Sequence, residues 1–341
     1  MFRNLFDFIN QICYTKNAKE FDLFKLDILP LKRDLFMVFL NSFKLFSSNW
    51  LKTLKFILYY VVIWGLCFAL ALPCFFALKD LVVSNFRAEN ISLMGIFADG
   101  YGAGFKNSLN ICSATVVDAF QTNLGLAIYG LVVFFVILPF FVNLGKYAYL
   151  EMLDSYMSSH SQVGFFSALI KSLKKSVPFA LCKVLHNIVF CAIILFSLYG
   201  LSLIEDASFI SYGLIPVSLL VLTIMFALNH LLIMGWPIAS IVFDNNVLSA
   251  YKKGLKAVKR HFWKSLFMAF TFSLFFWLIS LMGGIYAFLI LIPVGTAFLC
   301  LCDIVSFFTS QGMRFYINDT QILTPKKLEE VDKISKTAFL L

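Results

Sequence analysis

From Ser265 to Cys302 the chain runs without one charged residue, a stretch too long for a single membrane crossing. Similar apolar runs recur along the whole sequence. Lipid supplies no hydrogen-bond partners to a backbone, so only helices and closed barrels cross it. Barrel strands alternate apolar and polar residues, and these runs do not alternate. With 60% hydrophobic residues, 14% charged residues and a mean hydropathy of +0.86, the composition excludes an ordinary soluble domain. The reading is an all-α polytopic membrane protein.

A hydrocarbon core about 30 Å thick needs about 20 residues of helix. The runs then give six spans, at Thr53–Leu78, Asn123–Asn143, Val177–Gly200, Tyr212–Met234, Ser265–Met282 and Ile285–Ser310. The last two share the uncharged stretch, and Gly283-Gly284 is the natural turn between them. This divides the chain into an amino-terminal segment with an amphipathic helix (1–52), a membrane domain (53–310, with an outer loop at about 79–122) and a tail (311–341). Six crossings put both ends on one side.

Charge selects that side. Of 28 Lys and Arg residues, 25 fall on the side of the termini: nine through Lys55, five in the second-to-third connection and the base of the third span, six in the fourth-to-fifth connection and five in the tail. The opposite side holds Lys79, Arg87 and Lys106, offset by Asp80, Glu89, Asp99 and Asp118, and then Glu205 and Asp206. Short cytoplasmic loops retain positive charge, so both termini are expected in the cytoplasm. Met1–Pro30 is broken by charges and has no apolar h-region, so the first span is expected to act as the targeting signal.

The sequence also repeats. Phe43-Lys44-Leu45-Phe46, Ile170-Lys171-Ser172-Leu173 and Leu255-Lys256-Ala257-Val258 each precede two polar or basic residues and then Asn49, Ser176 or His261. Gly145 to Asp154 matches Gly235 to Asp244 in spacing, and Gly312 to Asp319 is a shorter echo. The expected architecture is three helical hairpins, each led by a basic amphipathic elbow helix on the cytoplasmic side. In the third elbow Leu248, Tyr251, Leu255, Val258 and Phe262 form an apolar stripe, with Lys252, Lys253, Lys256, Lys259 and Arg260 on the other faces. Such a helix suits anionic lipid headgroups or an acidic partner; topology-setting charge is the plainer account.

The polar residues within the spans are the candidates for chemistry. His186 and Asn187 lie about ten residues into the third span, near mid-membrane at 1.5 Å per residue, while Asn143, Asn229, His230 and Asp303 fall toward the cytoplasmic ends of theirs. They would form either a hydrogen-bonded layer between helices or an inward-facing vestibule. The layer is the preferred reading.

Catalytic signatures are lacking. There is no His-Glu-x-x-His, no Gly-x-Ser-x-Gly, no Walker loop and no pair of intramembrane aspartates. Gly95–Gly104 has no strand-to-helix context, so a phosphate cradle is not expected there; its Phe97, Tyr101 and Phe105 suit an outer interface or pore mouth. Cys300-x-Cys302 offers two thiols but no third ligand at a suggestive spacing, which favours two small packing residues over a soft metal site. Cys112 alone lies clearly in the outer loop, so no structural disulfide is expected. No enzyme activity, cofactor or nucleic-acid partner is inferred, since topology accounts for the net charge of +9.

Three further stretches carry a resemblance. Met1-Phe-Arg-Asn-Leu-Phe6 with Asp27-Ile-Leu-Pro30 and Arg33-Asp-Leu-Phe36, then Gly145 through Phe165-Phe166-Ser-Ala-Leu-Ile-Lys171-Ser172, then Phe307-Phe308-Thr309-Ser310-Gln311-Gly312 through Tyr316-Ile317-Asn318, resemble the YesL-like bacterial integral membrane proteins. That family is a domain of unknown function. The likeness covers most of the chain, though the outer loop at 79–122 is longer than the family pattern. It implies a bacterial plasma-membrane protein, accessory or regulatory, linked to carbohydrate uptake.

Two function classes remain open. The preferred one is a non-enzymatic component that docks a membrane-protein partner through its elbows. The other is a small-solute transporter or channel with a path between the hairpins past His186. A path requires polar residues facing one another across the bundle, and a scaffold requires a sealed apolar interior. The topology itself is checked by labelling: Cys112 should react with a membrane-impermeant maleimide in cells stripped of their wall, and Cys13 only after permeabilisation. The reverse pattern would overturn the assignment.

Overall fold

The computed structural model describes residues 29–88, 117–118, 120–159, 161–202, 208–243, 246–260, 262–286, 291–313, 315–317 and 320–322. The segment 1–28, most of the outer loop with Gly95–Gly104 and Cys112, Glu205 and Asp206, and the tail beyond 322 lie outside the described residues.

The chain is a helical, multi-pass membrane protein. Helix α1 spans Leu29–Ser48 and α2 spans Trp50–Ala88. Helix α3 runs over Phe120–Ser159 with one π-helical stretch at Val133–Ile137. There follow α4 (Phe165–Ser202), α5 (Ser208–Val242), α6 (Val247–Arg260), α7 (Phe262–Tyr286) and α8 (Ile292–Gln311). Five of them, α2, α3, α4, α5 and α8, are long and apolar enough to cross a membrane, and α7 contributes a shorter apolar stretch at Ser265–Phe276. Large apolar side chains stand exposed along them, including Leu58 and Val62 on α2 and Leu185, Val189 and Phe196 on α4. Apolar side chains left bare on this scale are what a lipid-facing surface requires.

Four expectations need correction. First, the turn at Gly283-Gly284 does not form, because α7 continues through both glycines to Tyr286. The glycines weaken a helix by about 1 kcal/mol each, too little to break one flanked by apolar turns. Second, Phe165–Ser176 is no separate elbow: it is the unbroken start of α4, despite Pro178. At 1.5 Å per residue the 38-residue α4 is about 57 Å long, so one helix supplies both span and basic extension. Third, the stripe does not lie on one helix: α6 ends at Arg260, and Phe262 opens α7. Leu248 is 76% exposed and Phe262 is exposed, whereas Ala250, Gly254, Ala257 and Val258 are buried.

The fourth correction concerns strands. Past α8 the chain forms a two-stranded antiparallel hairpin, β1 (Phe315–Ile317) with β2 (Thr320–Ile322), in the register Phe315 with Ile322, Tyr316 with Gln321 and Ile317 with Thr320. Gly312 makes it possible by closing α8 in the left-handed region, with φ 67. Phe315 then folds back edge-on to Phe308, their centroids 6.1 Å apart.

The densest packing lies at the lysine-rich end of the bundle. Tyr147, Tyr149, Met152, Leu153 and Met157 on α3 are fully or almost fully enclosed, together with Phe56, Phe165, Phe307 and Phe308. Tyr149 stacks on Phe56 with centroids 4.6 Å apart, and its hydroxyl shares a 2.9 Å hydrogen bond with Thr53. A line of rings, Tyr147, Phe179, Trp236 and Tyr251, joins α3, α4, α5 and α6. Trp236 anchors it by donating its indole N–H to the Val247 carbonyl at 2.7 Å.

Two glycines let α5 and α6 meet. A Cβ on Gly254 would stand 2.6 Å from the Gly235 carbonyl, and one on Gly235 would stand 2.7 Å from the Gly254 carbonyl oxygen. Both obstacles are backbone, which cannot rotate away. Gly254→Val should therefore lower the melting temperature in detergent by the equivalent of about 1–3 kcal/mol. Gly65→Ala, which meets nothing within 4 Å, should leave it unchanged or raise it. Equal behaviour of the two variants would refute the close helix contact.

Candidate functional site

Between six of the helices lies a cavity of about 420 Å³, within the roughly 300–1,000 Å³ typical of small-molecule sites. Its walls follow from helical periodicity. Helix α2 presents Tyr60 and Trp64, four residues apart; α4 presents Phe179, Lys183 and Asn187 at the same step; α8 presents Thr296, Leu299, Cys300 and Asp303 at steps of three, one and three. Helix α7 adds Ala269, Phe272, Ser273 and Phe276, and α5 adds Phe226, Asn229, His230 and Ile233.

Helix α3 contributes through its irregular turn. Pro139 has no N–H to give the preceding turn, and just before it Val133–Ile137 adopts π geometry, with the Leu138 N–H reaching the Val133 carbonyl. Beyond this turn Pro139, Asn143 and Lys146 reach the cavity. Asn143 donates its amide N–H to the Pro139 carbonyl at 2.7 Å and is 4% exposed.

Five of the six intramembrane candidates, Asn143, Asn187, Asn229, His230 and Asp303, line this one cavity. The sixth, His186, stands behind it: its Nε2 lies 2.7 Å from Asn229 Oδ1. An amide oxygen only accepts, so His186 donates and is protonated at Nε2. That bond holds the Asn229 oxygen and leaves its NH₂ group without a partner among the described residues. His230 Nε2 donates to Asp303 Oδ1 at 3.0 Å, which gives the carboxylate a partner across α5 and α8. The polar residues form pairs and also open onto a shared space.

Two cavity residues escaped the sequence reading. Lys146 and Lys183 were counted as cytoplasmic charge, yet both line the cavity. Neither makes an ion pair or hydrogen bond among the described residues. Their signal was present in the spacing: Lys183 precedes Asn187 by four residues and Lys146 follows Asn143 by three, so each lysine shares a helix face with a polar candidate. Trp64 adds an indole N–H that is buried without a partner.

The remaining candidates sit elsewhere. Lys252, Lys253, Lys256 and Lys259 on α6 are exposed and away from the cavity, and Arg260 ends that helix. Lys253 lies over the Phe243 ring, 5.2 Å from its centroid. Cys300 lines the cavity, while Cys302, about 200° round the helix, packs with Leu231, Met234 and Phe272. Among the described residues no three His, Cys, Asp or Glu side chains gather as metal ligands.

The two histidine pairs should differ in energetic weight. Interhelical hydrogen bonds in membranes average about 0.6 kcal/mol, and His186→Leu should cost about that. His230→Leu strands the Asp303 carboxylate, a residue only 7% exposed. Breaking a buried pair costs about 3–5 kcal/mol; the lower end applies, because the His230 side chain is 24% exposed. Unfolding in mixed micelles measures both, and equal losses would contradict the pairing described.

No family model, curated protein or solved structure matches this chain.

Proposed function

We propose that this chain is a non-enzymatic plasma-membrane protein with six spans and both termini in the cytoplasm, which admits a small polar solute to its central cavity. The observation that carries this is the convergence of Asn143, Asn187, Asn229, His230 and Asp303, with Lys146 and Lys183, on a single space of about 420 Å³. A scaffold would gain by filling that space with apolar side chains, since each intramembrane polar group is a cost. The solute reading, a carrier or channel, therefore takes precedence over the docking scaffold.

Supporting the topology, α7 is 25 residues long, enough for a sixth crossing beside the five other apolar helices. The basic residues Lys171 and Lys174 on the α4 extension, and Lys252, Lys256 and Lys259 on α6, are exposed. They favour the cytoplasmic face and its anionic headgroups, at about 1 kcal/mol for each surface lysine. The YesL-like likeness supports a bacterial accessory role linked to carbohydrate uptake.

The test is solvent access. With native cysteines replaced by alanine, Asn187→Cys should react with membrane-impermeant methanethiosulfonates added to inside-out vesicles. Leu185→Cys, at an outward position 66% exposed, should stay inert within lipid. Inertness at both positions would return the protein to the scaffold class.

A further inference from the structure

The cavity's charge balance is one-sided, with two lysines against one carboxylate. Lys146 and Lys183 face one carboxylate, Asp303, which His230 already engages. Among the described residues no other Asp or Glu lines the space. Among the described residues the donors left without a partner are two ammonium groups, the Asn229 amide NH₂, whose oxygen is held by His186, and the Trp64 indole N–H; Asn187 and Asp303 also offer acceptor oxygens to the space. Lysine and indole offer no acceptor at all.

We propose that the cavity binds a small oxyanion, a phosphate, sulfate or carboxylate group, between Lys146 and Lys183, with the Asn229 amide as a further donor. This rests on the reading that solute enters the cavity. A neutral sugar or a cation matches the site poorly: a cation would meet two lysines against a single carboxylate that His230 already engages, and a sugar hydroxyl would leave the net positive charge unneutralised. An oxyanion presents several acceptors and opposes both charges, giving charge-assisted bonds in a place where water is scarce.

Lys183 stands six residues inside the expected start of its span, and Lys146 three residues beyond the expected end of the preceding one. The pair stands on adjoining helices, α3 and α4, on the wall of one cavity. The oxyanion has two possible sources, a free anion from the aqueous phase or the phosphate of a lipid headgroup.

The experiment uses full-length Asn187→Cys protein, its native cysteines replaced by alanine, in neutral phosphatidylcholine vesicles. The rates of an anionic and a cationic methanethiosulfonate of similar size are compared, with and without inorganic phosphate or sulfate. The anionic reagent is expected to react at least about tenfold faster, and phosphate or sulfate to slow it, while glucose and choline have no effect. Lys183→Met and Lys146→Met should each remove that charge preference and the protection, Lys183→Arg should retain them, and the exposed Lys252→Met should change nothing. Removing an unpaired charge should also raise the melting temperature of both Met variants, so loss of protection will not reflect unfolding.

A second set of vesicles containing phosphatidylglycerol separates the sources. Protection by the anionic lipid alone assigns the headgroup, and protection by phosphate or sulfate in neutral lipid assigns a free anion; either upholds the inference. If both reagents react at similar rates and neither phosphate, sulfate nor anionic lipid protects, the anion assignment falls while solute access stands. If neither reagent reacts, solute access fails and the assignment falls with it.

Discussion

Lipid offers no hydrogen-bond partner, and the fold is organised by where this chain's few intramembrane polar groups find one. Asn143 turns back to the Pro139 carbonyl, His186 crosses to Asn229, and His230 crosses to Asp303. These bonds tie α4 to α5 and α5 to α8, so α5 is the hinge of the polar system. Helix α8, whose apolar window is 67% buried, forms the inner wall, while the corresponding window of α4 is 17% buried and faces outward. Once the pairs are made, the two lysines, the Asn229 NH₂ group, Asn187 and the Trp64 indole N–H remain without a partner among the described residues, and they share the same cavity.

A void of this size is tolerated because the bundle is clamped at one end. In hydrocarbon, an apolar side chain gains no hydrophobic free energy by packing on another helix, so close packing there depends on shape and hydrogen bonds. Toward the membrane surface, where the helix ends meet water, the ordinary hydrophobic term returns. The enclosed aromatics Phe56, Tyr149, Phe165 and Phe308 cluster at the lysine-rich end, and each buries an area of about 150–250 Å². The ring sequence Tyr147, Phe179, Trp236 and Tyr251 extends the clamp across four helices. Backbone contact at Gly235 and Gly254 locks the last of them.

How much of this was legible follows from what each signal measures. Apolar run length reports helices, and it located the five long apolar ones; it misplaced the break after α7, where two glycines suggested a turn that helix propensity alone could not impose. Run length does not report whether a basic stretch is a separate element, so the second elbow was read where α4 simply continues. The strand pair was visible as Phe-Tyr-Ile and Thr-Gln-Ile around Asn318-Asp319, a composition suited to a hairpin, but the helical context hid it. Polar candidates were found because such residues are rare in spans. Lys146 and Lys183 were missed for a different reason: counting positive charge by segment treats every lysine as surface charge, and only helical spacing separates those two from Lys171 or Lys174.

That distinction decides between scaffold and site. A lysine at the centre of a membrane helix costs about 2.5–3.5 kcal/mol on insertion scales, less where it snorkels toward the interface. Methionine would fit the same length of side chain at no such cost. Lysines retained for topology alone would serve equally well a few residues away, on the exposed faces where Lys171 and Lys252 already lie. On the proposed reading Lys146 and Lys183, placed on the cavity wall with Asp303 as the one carboxylate they share, weaken the fold in the absence of a ligand and become stabilising when an anion enters. That reading gives their position an energetic rationale that a sealed bundle would not supply.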